Sequence, residues 1–487
     1  MIAPVVTSTL AAIDLGATSG RVMLGRVGPN NLSIRLIARF RNTPVRTTDG
    51  LHWDVPGLYD TALNGLATAL RDEPELASVG VDGWGCDYGL LRDGELLSQP
   101  FHYRDDRTAA AIDQVYSRVA KADLHAANGL QHLPFNTVFQ LIADQTSGAL
   151  DRADEFLMIP DLMVYWLTGR RVAETTNAST TGLLGVQSRQ WDDALIERLG
   201  LPRSIFARLI DAGTEIGQVR RSVAQEIGAS PHLPVTVVGS HDTASAVVAV
   251  PATSNDFAYI SCGTWSLVGV ELDQPHVSEA GRRGGFTNEG GVDGRVRYLH
   301  NVMGLWLLSE SVRTWEASGE RVDLPALLRE ASAVSGTVFD PDDPRFLPPG
   351  DIPARIAELC LEQGLPLPRS RAALVRSVLE SLAQAYARTL RNVVELTGKT
   401  VAVVHMVGGG SQNELLCQLT ADRTGLPVLA GPAEATSIGN ILVQARAQGL
   451  VAGSLESLRT LVATSFHSTA YQPRGETDTS QGSHRGS

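Results

Sequence analysis

Ser240, His241 and Asp242 stand in a row within residues 235–250, and their side chains are those that move protons. A carboxylate or an imidazole aimed at a hydroxyl can act as its general base. Ser240 or Asp242 equally suits a helix N-cap, accepting a bond from an N–H two or three residues on. A second group reads Asp14-Leu15-Gly16-Ala17-Thr18-Ser19-Gly20-Arg21. Gly16 and Gly20 permit a backbone that turns consecutive N–H groups inward, and Thr18 and Ser19 add hydroxyl donors, so this loop can cradle phosphate oxygens. An ordinary hairpin with a turn aspartate has the same letters. Asp14 is suited to Mg²⁺, which keeps most of its waters and takes one or two carboxylates. Ser261 to Ser266 repeats the order of small and hydroxyl residues, with Thr264 at its centre. Gly408, Gly409 and Gly410, followed by Ser411, Gln412 and Asn413, would let backbone approach a flat ligand closely. Asp82-Gly83-Trp84-Gly85-Cys86-Asp87-Tyr88 suits a pocket wall, where aromatic faces meet the C–H side of a sugar and carboxylates meet its hydroxyls.

The elements that must position these groups follow from periodicity. Val235 to Val238 is a short β-branched and apolar run closing in Gly239, and small helix-compatible residues follow Asp242. That strand–turn–helix puts the triplet at the carboxyl edge of a strand, where open α/β sheets build their sites. Residues 11–16 and 22–27 read as a hairpin, as do the two halves of 257–270, and the likeness of the two predicts an internal repeat. Strands are expected over 33–40, 76–81 and 401–407. Helices are expected over 56–71, 105–122, 137–146, 160–168, 192–199, 371–397 and 413–424. Asn301 is expected to open an apolar helix, either as its cap or as a ligand contact. Tyr103 to Arg107 reads as a solvated helix start, 175–184 as a polar loop and 320–370 as a long surface excursion.

Composition excludes other classes. In 487 residues 43% are hydrophobic and 19% charged, so a large core is expected. The net charge of −12, with no Lys/Arg-rich run, argues against nucleic acid. The four cysteines, Cys86, Cys262, Cys360 and Cys417, form no CxxC pair, which argues against zinc and a disulfide framework and fits a reducing compartment. No apolar run is long enough to span a bilayer and no basic region precedes the apolar start, so a cytoplasmic protein is expected. The oligomeric state stays open between monomer and dimer.

Taken together, the segments resemble the FGGY carbohydrate kinase family, within the actin-like ATPase superfamily. The resemblance runs from Ala12 to about Ala463. It rests on 14–24, Gly83 to Tyr88, Tyr103 to Asp105, Leu133 to Thr137, Gly239 to Val247, Ser261 to Leu267, Thr287 to Gly291, Asn301 to Leu308 and Val407 to Asn413. It implies an α/β fold of two actin-like (ribonuclease H-like) ATPase domains with a cleft between them, here 1–247 and 248–470, with a disordered tail at 471–487. It also implies transfer of the γ-phosphoryl of ATP, with Mg²⁺, to a sugar hydroxyl. The segment forms favour the C1 hydroxyl of L-rhamnulose, with L-fuculose or D-xylulose as alternatives. A nucleotide-gated binding protein on the same fold is the rival of another class. By resemblance Asp242 matches the catalytic base. Gly85, His241, Asp242, Thr243 and Asn301 match sugar-binding positions. Ala17, Thr18, Ser19, Gly20, Arg21, Thr264 and Gly409 match nucleotide-binding ones. Ser309 stands at a further nucleotide position where related kinases carry glutamine, and its side chain is shorter.

Overall fold

The computed structural model describes residues 7–474. Two sheets dominate it. The first is built from β1 (Ser8–Leu15), β2 (Ser19–Gly28), β3 (Asn31–Arg41), β4 (Leu76–Gly83), β5 (Thr214–Gln218) and β6 (Pro234–Val237), in the order β5-β6-β4-β1-β2-β3. The second holds β7 (Phe257–Cys262), β8 (Trp265–Leu272), β9 (Thr287–Gly290), β10 (Val296–Met303), β11 (Val403–Val407), β12 (Val428–Ala430) and β13 (Thr469–Tyr471), in the order β9-β10-β8-β7-β11-β12-β13. Strands β1, β2 and β3 form an antiparallel meander, and β4 and β6 add on in parallel beside β1. Strands β7, β8 and β10 form the same meander, and β11 and β12 add on in parallel beside β7. In each sheet an antiparallel edge strand, β5 or β13, completes the pattern. The hairpin likeness read from the sequence is therefore one visible part of a duplicated topology.

Alternation along the strands feeds two cores at once. Ala11, Ile13 and Leu15 of β1 face the core of the first lobe, while Leu10 and Ala12 face a core shared by both lobes. In β7, Ala258 and Ile260 face the second lobe's own core, and Phe257 and Tyr259 the shared one. The period of two makes this division automatic. Helices α1 (Val55–Asp72) and α3 (Arg371–Thr397) back the first and second sheets. The shared core is filled by α2 (Asp242–Val248) and α4 (Ala435–Ala447), which pack on each other through a glycine. A Cβ at Gly439 would sit 1.8 Å from the carbonyl oxygen of Ser245.

Several expectations are corrected. Asn301 opens no helix: it lies in β10, paired opposite Leu267 of β8, and the helix begins at Trp306. The stretch 105–122 is broken into Ala109–Arg118 and Lys121–Asn128, with extended backbone at Val119 and Ala120 between them. Residues 320–370 are no surface excursion. Asp323 and Asp351 cap the helices Leu324–Ser332 and Ile352–Glu362, each with a proline in the first turn, and Phe339 and Phe346 are buried. Aspartate then proline two residues on is a helix-start signal as well as a loop signal. The hydroxyl-rich 175–184 is buried and begins with the helical turns Thr175–Ala178 and Ser179–Thr181. The chain stays ordered past the expected tail boundary, since Tyr471 pairs with Val428 and the Arg474 N–H donates to Asp422. The rest of the expected tail lies outside the described residues.

Candidate active site

The two sheets open on a single cavity of about 410 Å³. Its phosphate-type loops are built alike. In the first, Gly16 N–H closes on the Ser19 carbonyl at 3.1 Å, and Asn42, just beyond β3, takes the carbonyls of Thr18 and Gly16 at 3.0 Å each. In the second, Gly263 N–H closes on the Trp265 carbonyl at 2.8 Å, and Leu305 and Trp306, just beyond β10, take the carbonyls of Gly263 and Thr264. Each loop thus has its carbonyls engaged from behind, which leaves donors to face the cavity. Gly304 permits the close approach, because a Cβ there would lie 2.5 Å from the Trp265 carbonyl carbon. The third turn sorts its glycines. A Cβ on Gly410 would strike Cys262 Sγ at 2.1 Å, and Gly408 has a φ of +83°, whereas a Cβ on Gly409 would meet nothing within 4 Å. All three glycines border the cavity, and of them Gly409 alone has free space where a Cβ would stand.

Asp14 and Asp82 are register partners on the parallel strands β1 and β4, and Asp242 follows β6. Burial drives Asp14 up to about 6, against the pull of Arg21, and Asp242 pushes the same way as burial. Burial and then the Asp14 charge lift Asp82 well above the usual carboxylate range. Arg21 answers this charge, its Nε 3.5 Å from Asp14 and its Nη1 bonded to Glu434. Asp242 itself is partly exposed, lines the cavity and accepts from Thr243 Oγ1 at 3.1 Å. The cap reading fails for both residues: His241 occupies the N-cap without a side-chain bond, and Ser240 Oγ donates to Glu174 at 2.9 Å. Glu174, unremarked in the sequence, braces this turn by also accepting the Ser240 N–H at 3.0 Å.

His241 stands between charged groups of both lobes. Its Nδ1 lies 3.0 Å from Arg297 Nη2 and 3.4 Å from Glu289, and its Nε2 lies 3.6 Å from Asp242. Burial opposes ionisation of Glu289, yet Arg297 and then His241 hold it below the usual range. Gly85 packs tightly on Thr180, whose Oγ1 would lie 3.1 Å from a Cβ there, while His241 Nε2 would be at ordinary contact distance, 3.5 Å. Asn301 reaches across the cleft, its Nδ2 donating to Gln131 Oε1 at 3.0 Å.

Of the residues singled out beforehand, Asp14, Ala17, Thr18, Ser19, Arg21, Gly85, His241, Asp242, Thr243, Thr264, Asn301, Ser309 and Gly409 all line this cavity. Gly20 does not: it is buried against Phe40, whose ring a Cβ would strike at 2.2 Å, so its need for glycine comes from packing. Asp87 is corrected too. It is fully buried and accepts from Trp53, Trp84, Tyr103 and Gln140, which holds the wall together and leaves nothing for a sugar. Arg104, expected to be solvated, stacks 3.8 Å above the Trp306 ring and bonds the Leu347 carbonyl across the cleft. Its sequence neighbours gave no sign of these distant partners.

Two lobes of one topology, closing on a cavity with paired phosphate-type loops and a carboxylate between them, define a sugar phosphotransferase, and the chain belongs to the FGGY family of carbohydrate kinases. The family's N-terminal domain matches residues 10–249 and its C-terminal domain residues 258–448. Relatives named rhamnulokinase include one from Bacteroides thetaiotaomicron, 39% identical over 468 residues, or 95% of each chain. Another, from Pectobacterium carotovorum, is 40% identical over 478 residues, covering 96% of this chain and 94% of that one. Among solved structures, a ligand-bound xylulose kinase from Lactobacillus acidophilus superposes with a TM-score of 0.77 at 16% identity, covering 96% of this chain and 94% of that one. A gluconate kinase from the same organism gives 0.78, also at 16%, with the same coverage. These structural likenesses bear on the fold. Among the described residues no helix is long and apolar enough to cross a membrane.

Proposed function

We propose that the chain transfers the γ-phosphoryl of ATP to the C1 hydroxyl of L-rhamnulose, giving L-rhamnulose 1-phosphate and ADP. The observation that carries this reading is the Asp242 carboxylate, partly exposed in the one cavity that also holds both phosphate-type loops. The sugar's identity is supported by relatives near 40% identity over almost the whole chain. Phosphoryl transfer of this kind passes through a loose transition state, so positioning and charge neutralisation do most of the catalysis. Asp242 accepts the proton of the attacking hydroxyl. Donors of the loops at Ala17–Ser19 and Thr264 hold phosphate oxygens, and Gly409 offers bare backbone to the nucleoside. Asn301 and the Gly85 turn line the sugar end.

Asp14 suits Mg²⁺. Burial and then the Asp242 charge favour the protonated form of its carboxyl, burial and then the Asp14 charge do the same for Asp82, and Asp82 Oδ1 has no hydrogen-bond partner, so a cation would offset the crowded negative charge. Among the described residues no three acidic, cysteine or histidine side chains converge as a metal cage, which suits an ion held largely by water and phosphate. When bound, the ion neutralises charge on the β- and γ-phosphate oxygens. In this reading 1–247 carries the base and first loop and 248–470 the second loop and nucleoside turn, with α4 closing the floor of the first. The free cysteines suit the cytoplasm.

The test is ADP release with L-rhamnulose, L-fuculose and D-xylulose. The expected result is highest kcat/KM on L-rhamnulose. Preference for another sugar would reassign the substrate, and ATP binding without sugar-stimulated ADP release would favour a nucleotide-gated binding protein.

A further inference from the structure

We infer that Arg297 is a positioning residue that sets the tautomer of His241, so that the ring presents Nε2–H to the reacting end of the cavity. The inference rests on Asp242 being the base. Arg297 sits in β10 of the second lobe and is fully buried, while His241 belongs to the turn that ends β6 in the first. Its Nε donates to the Gly290 carbonyl at 2.8 Å, which fixes the plane of the guanidinium. Its Nη2 then meets His241 Nδ1 at 3.0 Å.

A guanidinium has donors and no acceptor, so Nδ1 must offer its lone pair and the ring proton resides on Nε2. Glu289 competes, since a carboxylate 3.4 Å from Nδ1 would favour a proton there. Arg297 prevails because its Nη2 is nearer to Nδ1 and within hydrogen-bond geometry of it, whereas Glu289 Oε2 stands at 3.4 Å without a hydrogen bond to the ring, its charge countered by Arg297 Nη2 at 3.2 Å. The charged groups facing the ring are Arg297 and Glu289 from the second lobe and Asp242 beside it. Nε2 lies 3.6 Å from Asp242 Oδ1, too far for a hydrogen bond, so its proton is left for a sugar oxygen placed between the two side chains. His241 thereby works as a donor. A base held by a second group, itself oriented by a third, is a general way to keep a catalytic side chain aimed.

The test uses the full chain with ¹⁵N-labelled histidine, read by long-range ¹H–¹⁵N NMR of the ring, with His241→Asn to identify the signal. In the wild type His241 is expected as the Nε2–H form. In Arg297→Met, Glu289 becomes the acceptor, so the proton is expected on Nδ1. Sugar kcat/KM is expected to fall about 10- to 100-fold, with KM for ATP changed less than about twofold. In Arg297→Met with Glu289→Gln, the glutamine amide can donate to Nδ1, so the Nε2–H form and most of the lost activity should return. The double variant also removes an uncompensated buried charge, so it reads the tautomer if the single variant fails to fold. An Nε2–H ring in the single variant would overturn the inference, as would an Nε2–H ring in the double variant without recovery of rate. The NMR readout needs neither sugar nor turnover, so it stands apart from failure of the kinase reading.

Discussion

Asn440 Nδ2 lies 2.5 Å from Asp82 Oδ2, joining positions 358 residues apart in the chain. The contact belongs to a polar row on α4: Ser437 donates to Asp14 at 3.0 Å, and Gln444 donates to the Ala11 carbonyl at 2.9 Å. The other face of the helix, with Ile438, Ile441 and Leu442, fills the shared core. A helix from the end of the chain thus supplies donors to the acidic strand ends at its beginning. Asn440→Ala should leave a buried carboxyl without its donor and cost about 1–3 kcal/mol. Denaturant midpoints measure it, and an unchanged midpoint would show that water replaces the amide.

Asp87 makes stability depend on pH. Burial raises it from 3.8 to about 6, so the folded protein keeps a proton that the unfolded chain has released. That contribution is complete below about pH 4 and is lost as pH rises through about 6. The stability of wild type relative to Asp87→Asn should therefore fall by roughly 3 kcal/mol across this window. Urea titrations at several pH values test it, and a difference independent of pH would contradict the assignment.

Removing the base and removing its neighbour should have different signatures. Asp242→Asn is expected to lower kcat about 10²- to 10⁴-fold while nucleotide binding persists. His241→Asn should reduce sugar kcat/KM more mildly, because Nδ1 is occupied by Arg297 and the ring is not free to take the proton. Steady-state kinetics beside nucleotide-binding isotherms decide this; near-native turnover in Asp242→Asn with loss of activity in His241→Asn would reverse the roles.

Adjacent glycines should respond oppositely. Gly410→Ala places a methyl against Cys262 Sγ and should cost about 1–3 kcal/mol by overpacking. Gly409→Val adds bulk where no protein atom lies within 4 Å, so melting should change little while KM for ATP rises several-fold. Thermal melts paired with nucleotide titrations distinguish the two. Equal effects on both properties would mean that Gly409 does not meet the nucleoside.

Much of this molecule is decided locally. The strand–turn–helix around Asp242, the loop after Asp14 and the long helix Arg371–Thr397 each depend on neighbouring residues, through β-branched runs, glycine-permitted turns and apolar spacing. Such signals lie within a few positions of one another, so they are written in the order of the chain. What the tertiary structure alone decided concerns partners brought from far away. Asn301 became a strand residue because Leu267 lies opposite it, and Gly20 a packing residue because Phe40 covers it. Arg104 left the solvent because the Trp306 ring stands across the cleft, and Arg297 came to face His241 from the opposite lobe. Desolvation and hydrogen-bond geometry depend on distance in space, and a linear pattern carries no measure of that distance.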